Sequence, residues 1–453
     1  MTSARINPTA GPPAGPEMLV DMAAIDVKSG HRDRASKSGR EPGRNKFIPV
    51  RKEDLLATMV KQGEFANTAE CKLFQRFART LRNICHYEYS ETLDQLRDDY
   101  YYFSPEIAGL ASADRAKNDF AYKHLIRSLD RVLMDANFEE LSHEEVSNAH
   151  RRRTVPVEVR AKDDDFRDVR FYRRGHHIEE VGVTEWLGLR RRMVKIEVFD
   201  DVVLMVKMKP QAEINSRREL RTLKRRKIVP GSVLLKYFRN IACGDLYALI
   251  PNARVVMSNF DKAFLGLPAI AAGIPILLKL YSTISVLLIV IGVYLGGHDS
   301  VSNTEMKATL AALAGILGLG GFVTHQWLKY QRRSLRYHME LTDNIYYRNV
   351  SNNAGIFDYL IATAEDQECK QALLTYHFIR METLPTIVET AARIEAWLTH
   401  SFEVKVGFDI TAALKTLHRF GLVRYEADHL SVMPLEQAIP KLHEVWNNFF
   451  KEG

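Results

Sequence analysis

The sequence predicts an α+β membrane protein: a two-span transmembrane helical hairpin inserted between a helical plus small β-rich N-terminal cytoplasmic part and a helical, winged-helix-like C-terminal part. Three observations predict it. Two apolar runs follow one another between Ala263 and Leu328, each without a polar face. Apolar residues on either side recur at helical spacing, except over 154–209, where they alternate as in strands. The last fifty or so residues read as a helix, a glycine, two short strands and a closing helix.

Composition sets the outer bounds. A chain of 453 residues has room for two or three domains, and 26% charged with 46% hydrophobic residues is ordinary for a folded protein. The mean hydropathy of -0.21 averages away the two apolar runs. A net charge of +7 is thin over this length and lacks the concentrated basic footprint of a nucleic-acid binder. Cys71, Cys85, Cys243 and Cys369 form no C-x-x-C pair and stand beside no histidine at metal spacing, so they read as reduced core thiols. No cofactor, metal or catalytic constellation is expected.

Residues 1–45 mix Gly, Pro, Ala, Ser and charges of both signs and read as a disordered tail. A helical cytoplasmic domain over 46–153 follows. Leu73, Phe74, Phe77, Leu81 and Ile84 mark one helix, and Ser90 is expected to cap a second through Leu93, Leu96 and Tyr100 to the Ser104-Pro105 stop. Phe120, Ile126, Leu129 and Leu133 mark a third, and Ser142-x-x-Glu145 predicts a capping box for a fourth. Residues 154–260 read as a β-rich unit and basic linker: Val155, Val157 and Val159, then Val194, Ile196 and Val198, alternate with polar residues, and Val202–Val206 is a solid apolar run. His176-His177 reads as a solvated loop pair. The basic run from Arg217 to Lys227 reads as a solvated helix face, or as a contact for anionic lipid headgroups.

A membrane span needs about 20 mostly apolar residues. The best frames are 276–297 and 306–328, with 263–275, rich in Gly and Pro, as an interfacial or re-entrant segment. Lys262 and Lys279 stand on the entry side, and Lys329, Arg332, Arg333 and Arg336 follow the exit. Trp327 and Tyr330 supply an aromatic belt, so both soluble parts are expected on the cytoplasmic side. Lys279 is expected to snorkel to the headgroups. Gly292 and Gly296 on one span, with Ala311, Ala314, Gly315 and Gly318 on the other, are the expected helix-packing faces.

Helical patterning returns over 335–400, in Ile356–Ala364, Gln367–Ile379 and Leu384–Leu398. In the winged-helix-like module, 401–453, Asp409 caps a helix that ends at Phe420-Gly421. Leu422–Tyr425 and Leu430–Met433 form the wing, and a helix through Leu435, Leu442 and Trp446 closes it. Its acids and bases nearly cancel, so a protein partner is expected and nucleic acid is not.

Four segments, Phe47–Met59, Tyr237–Pro251, Leu335–Leu374 and Phe408–Val423, resemble the family around transmembrane protein 143, defined by a domain of unknown function (DUF3754). The resemblance implies a membrane hairpin and, for the animal member, a mitochondrial location. It implies no reaction or cofactor. The acid-containing opening favours a bacterial plasma membrane, with the mitochondrial membrane as the alternative. The expected function is a membrane-tethered protein-interaction or scaffold protein with the lipid bilayer and an unidentified protein as partners. An oligomeric channel or transporter component is the alternative, and a lipid-acting enzyme ranks below both.

Overall fold

The computed structural model describes residues 45–63, 65–106, 119–151, 158–160, 166–185, 190–210, 229–256, 345–382, 385–426 and 429–451, with scattered positions between 213 and 339. The expected disordered tail lies outside these residues, as does the basic run apart from Arg221.

Two long helices form the spine. α1 (Lys52–Gln62) leads into α2 (Thr68–Tyr101), whose N-cap Asn67 accepts a hydrogen bond from the Glu70 amide at 2.9 Å. The sequence predicts a break at Ser90, but α2 runs through it. Ser90 sits exposed within the helix, and no Gly or Pro interrupts 68–101. α3 (Asp119–Asp135) and α4 (His143–Arg151) follow. The predicted Ser142/Glu145 capping box is formed at the start of α4, with reciprocal bonds of 3.2 and 2.9 Å. α5 (Gly355–Arg380) merges two predicted helices, because Glu365-Asp366 is charged but does not disfavour helix.

An antiparallel sheet packs against one side of the spine. Its strands are β1 (Glu139–Leu141), β3 (Phe166–Arg174), β4 (His177–Glu185), β5 (Arg190–Met208), β6 (Val233–Ala242) and β8 (Asn349–Asn352). The order is β1-β3-β5-β6-β8, with β4 beside the first half of β5. β2 (Glu158–Arg160) and β7 (Arg254–Val256) pair separately. β6 crosses what reads in the sequence as linker. Alternation along β5 sorts the sheet into two apolar faces. Val203 and Met205 join Tyr172, Val233, Leu235 and Tyr237 against α2, α3 and α5. Val202, Leu204 and Val206 join Phe171 and Phe238 against α4 and a 3-10 turn, Cys243–Leu249.

The C-terminal elements are α6 (Ile387–Phe402), α7 (Ile410–Arg419), β9 (Val423–Glu426), β10 (His429–Val432) and α8 (Leu435–Asn448). The predicted order of helix, hairpin and helix is observed. Asp409 caps α7 through the Ala412 amide, and Gly421 takes φ +69°, the left-handed turn that starts the wing. These elements do not enclose a core of their own. They share one with α1, the first half of α2 and the second half of α5. The other halves of α2 and α5 belong to the sheet-facing core.

The expected membrane fold requires correction. Among the described residues no helix is long and apolar enough to cross a membrane, so a two-span architecture is not supported and the chain is described as α+β. The helices long enough to span among the described residues are α2 and α5, and both carry several charges: α5 alone holds Asp358, Glu365, Asp366, Glu368 and Lys370. The frame 276–297 and the segment 263–275 lie outside the described residues, and 306–328 is described only at scattered helical positions.

Candidate functional site

The most developed polar site in the described part is a row of charges across three strands. β5 carries Asp201 on the same face as Val203 and Met205, two residues past the last apolar position. Its cross-strand partners are Arg174 on β3 and Arg239 on β6, so register alone sets an Arg–Asp–Arg row beneath the spine. Arg174 is buried, and its Nε and Nη2 donate to Asp201 Oδ2 at 3.0 and 2.6 Å. Its guanidinium also lies over the rings of Phe47 and Phe138, at 4.2 and 4.7 Å. The Tyr237 hydroxyl donates to Asp201 Oδ1. Arg239 approaches the same oxygen at 3.4 Å and donates through Nη2 to the Tyr359 hydroxyl on α5 at 2.6 Å.

Two arginines against one carboxylate leave a positive excess, and the two phenols respond differently. Burial, then the Asp201 charge, pushes the Tyr237 hydroxyl up. Burial also pushes Tyr359 up, but its interactions with the Tyr237 hydroxyl and with Arg239 outweigh it, and its net direction is down. Tyr359 is therefore a phenol of increased acidity beside the half-exposed Arg239.

At the other end of the same face stands Lys207, which is 2% exposed. Its amine donates to Gly231 O at 2.8 Å and lies 4.1 Å from the Phe103 ring centre. Burial, then Arg167, lowers it to about 8 from its ordinary 10.5. The folded state thus sheds this proton before the unfolded chain does, so stability rises as pH climbs from about 8 to 10.5. Lys207→Met is expected to stabilise the protein by about 1–3 kcal/mol at pH 7. It should also flatten the alkaline rise, as read from urea unfolding at pH 7 and pH 10. Destabilisation at both pH values would show that the amine's hydrogen bond outweighs its desolvation.

A third cluster joins the spine to α7. Arg419 donates to Glu88 at 2.8 Å and Glu368 at 2.7 Å, and the Thr416 hydroxyl donates to Glu368 at 2.6 Å. Burial is the leading cause that raises Glu88, and likewise Asp135 on α3, to about 6. A separate cleft of about 630 Å³ opens between β1, α4 and β3, with Arg167, Asp168 and Arg170 on its wall.

Of the residues singled out from sequence, Lys262, Lys279, Gly292, Gly296, Ala311, Gly315, Tyr330, Arg333 and Arg336 lie outside the described residues. Trp327, Lys329, Arg332, Ala314 and Gly318 are exposed, and a Cβ at Gly318 would meet nothing within 4 Å. His177 is not merely solvated: its Nδ1 lies 2.6 Å from Asp200 Oδ1. Sequence reasoning missed Arg174, Tyr237, Arg239 and Tyr359. The one available signal was Asp201 itself, a charge on the face that the strand's alternation assigns to the core.

A family model described as "Protein of unknown function (DUF3754)" matches residues 199–355. The match includes Asp201, Tyr237 and Arg239, the centre of the row, and stops just short of Tyr359. No solved structure matches the chain.

Proposed function

We propose that the chain is a protein-interaction scaffold and that it engages its partner through the ribbon formed by β4 and the first half of β5. One observation carries the reading. Nine residue pairs, from His177↔Val198 to Glu185↔Arg190, extend the sheet as two strands alone. Beside this stretch neither β4 nor β5 has a further neighbour among the described residues, because β6 pairs only from Val198 onward. Two-stranded ribbons are marginal in water, and open edges accept added strands. One face of the ribbon exposes Ile178 and Met193, at 63% and 62%, flanking the Glu180–Lys195 ion pair. The polar clusters described above serve this role as braces that tie sheet, spine and C-terminal elements together.

The test is chemical cross-linking in extract of the source cell, comparing wild type with Ile178→Glu/Met193→Glu. The expected result is a specific cross-linked partner that the double variant loses at unchanged melting temperature. Retention of the same partner by the variant, or its absence from the wild type, would remove the reading. The resemblance to the family around transmembrane protein 143 remains part of this proposal; the match over 199–355 overlaps two of the four segments that carry it.

A further inference from the structure

The spine helices are antiparallel, and their contacts fix which residues face one another. Phe77 stacks on Tyr376, His86 meets Glu365, and Arg97 meets Asp358. Moving along α2 from Phe77 to His86 therefore corresponds to moving back along α5 from Tyr376 to Glu365. Within that interval the register sets Cys85 opposite Cys369. Both thiols are buried in the same core cluster. A disulfide between them requires Cα atoms less than about 7 Å apart.

The two thiols differ in access. A groove of about 480 Å³ between α1 and α2 reaches Cys369 but not Cys85; Lys52, Arg79 and Arg82 line the same groove. Glu53 lines it too, 3.9 Å from Arg82, and a groove of this size admits a small oxidant to the Cys369 sulfur. The Cys369 side chain and burial push the Cys85 thiol up.

We propose that Cys369 and Cys85 form a reversible two-electron redox site, with Cys369 the peroxide-reactive thiol and Cys85 the resolving thiol. The Cys369 thiolate attacks a peroxide oxygen and the O–O bond breaks. The distal oxygen leaves as hydroxide or alkoxide, takes a proton, and departs as water or an alcohol. Cys369 is left as a sulfenic acid. Cys85 sulfur then attacks the Cys369 sulfur, the S–O bond breaks, and the Cys85 proton leaves with that oxygen as a second water. The resulting disulfide ties the two spine helices at the turn where the two cores meet. A dithiol reductant reverses it.

The experiment treats the full chain with hydrogen peroxide, then maps peptides by mass spectrometry before and after dithiothreitol. The expected product is a Cys85–Cys369 cross-linked peptide, two hydrogens lighter than its parts and restored by the reductant. Cys85→Ala should trap a dimedone-reactive sulfenic acid at Cys369, whereas Cys369→Ala should leave Cys85 unlabelled. The wild-type measurement stands even if a variant folds poorly. Oxidation at Cys71 or Cys243 without the cross-link, or dimedone labelling of Cys85 in Cys369→Ala, would overturn the proposal.

Discussion

Asp201→Asn is expected to lower the unfolding free energy by about 3–5 kcal/mol, the range for removing one partner of a buried ion pair. The carboxylate takes two bonds from Arg174, one from Tyr237 and the approach of Arg239. The amide keeps the shape and removes the charge, so Arg174, with a side chain 3% exposed, stays buried with its charge uncompensated. What remains for it is the Ala136 carbonyl at 3.4 Å and the faces of Phe47 and Phe138. Those ring contacts are worth about 2 kcal/mol or a little more when desolvated, too little to replace a carboxylate. Urea unfolding should show a lower midpoint at an unchanged slope, the signature of lost stability without a changed unfolded state. A loss under about 1 kcal/mol would mean that the row behaves as a solvated surface pair.

Much of the local structure is legible in the sequence because it is decided by near neighbours. The Ser142/Glu145 box, the Asp409 cap and the glycine turn at Gly421 each depend on a few consecutive residues, and each forms as its local pattern predicts. What was not legible depends on register. Arg174, Asp201 and Arg239 are separated by 27 and 38 positions in sequence and meet only because β3, β5 and β6 pair as they do. Strand β6 was hidden because Val233–Ala242 mixes Lys236, Arg239 and Asn240 into its apolar residues, and only pairing with β5 and β8 makes it a strand. The membrane expectation is overturned by the helices themselves: among the described residues none is long and apolar enough to cross, and the frame 276–297 lies outside them. The C-terminal elements were read as a module because their local order is complete in itself; their core is not, since it includes Phe74, Phe77 and Cys369 from outside it.

That shared core makes Phe77→Ala the sharper test of how the chain is organised. Phe77 and Tyr376 are fully buried and stack at 4.1 Å between ring centres, one from each helix of the spine. Truncating a buried phenylalanine costs about 3–5 kcal/mol, from lost burial and from the cavity left behind. Tyr376 passes the effect on, because its hydroxyl donates to Met433 O at 2.6 Å, at the junction of β10 and α8. With Trp186, Trp327 and Trp397 replaced by Phe, Trp446 on α8 becomes the reporter: it packs against this core and edge-on to Tyr87 of α2, with ring centres 5.5 Å apart. The expected result is that Trp446 fluorescence and far-ultraviolet circular dichroism shift together to a lower denaturant midpoint. A double-mutant cycle with Tyr376→Leu should return a coupling of about 0.5–1.5 kcal/mol for the ring pair. If the Trp446 transition instead stayed in place while the remainder of the chain lost stability, the C-terminal elements would be an independent folding unit. One cooperative transition is expected because α2 and α5 each contribute to both cores, so neither core can open without disturbing a helix that the other requires.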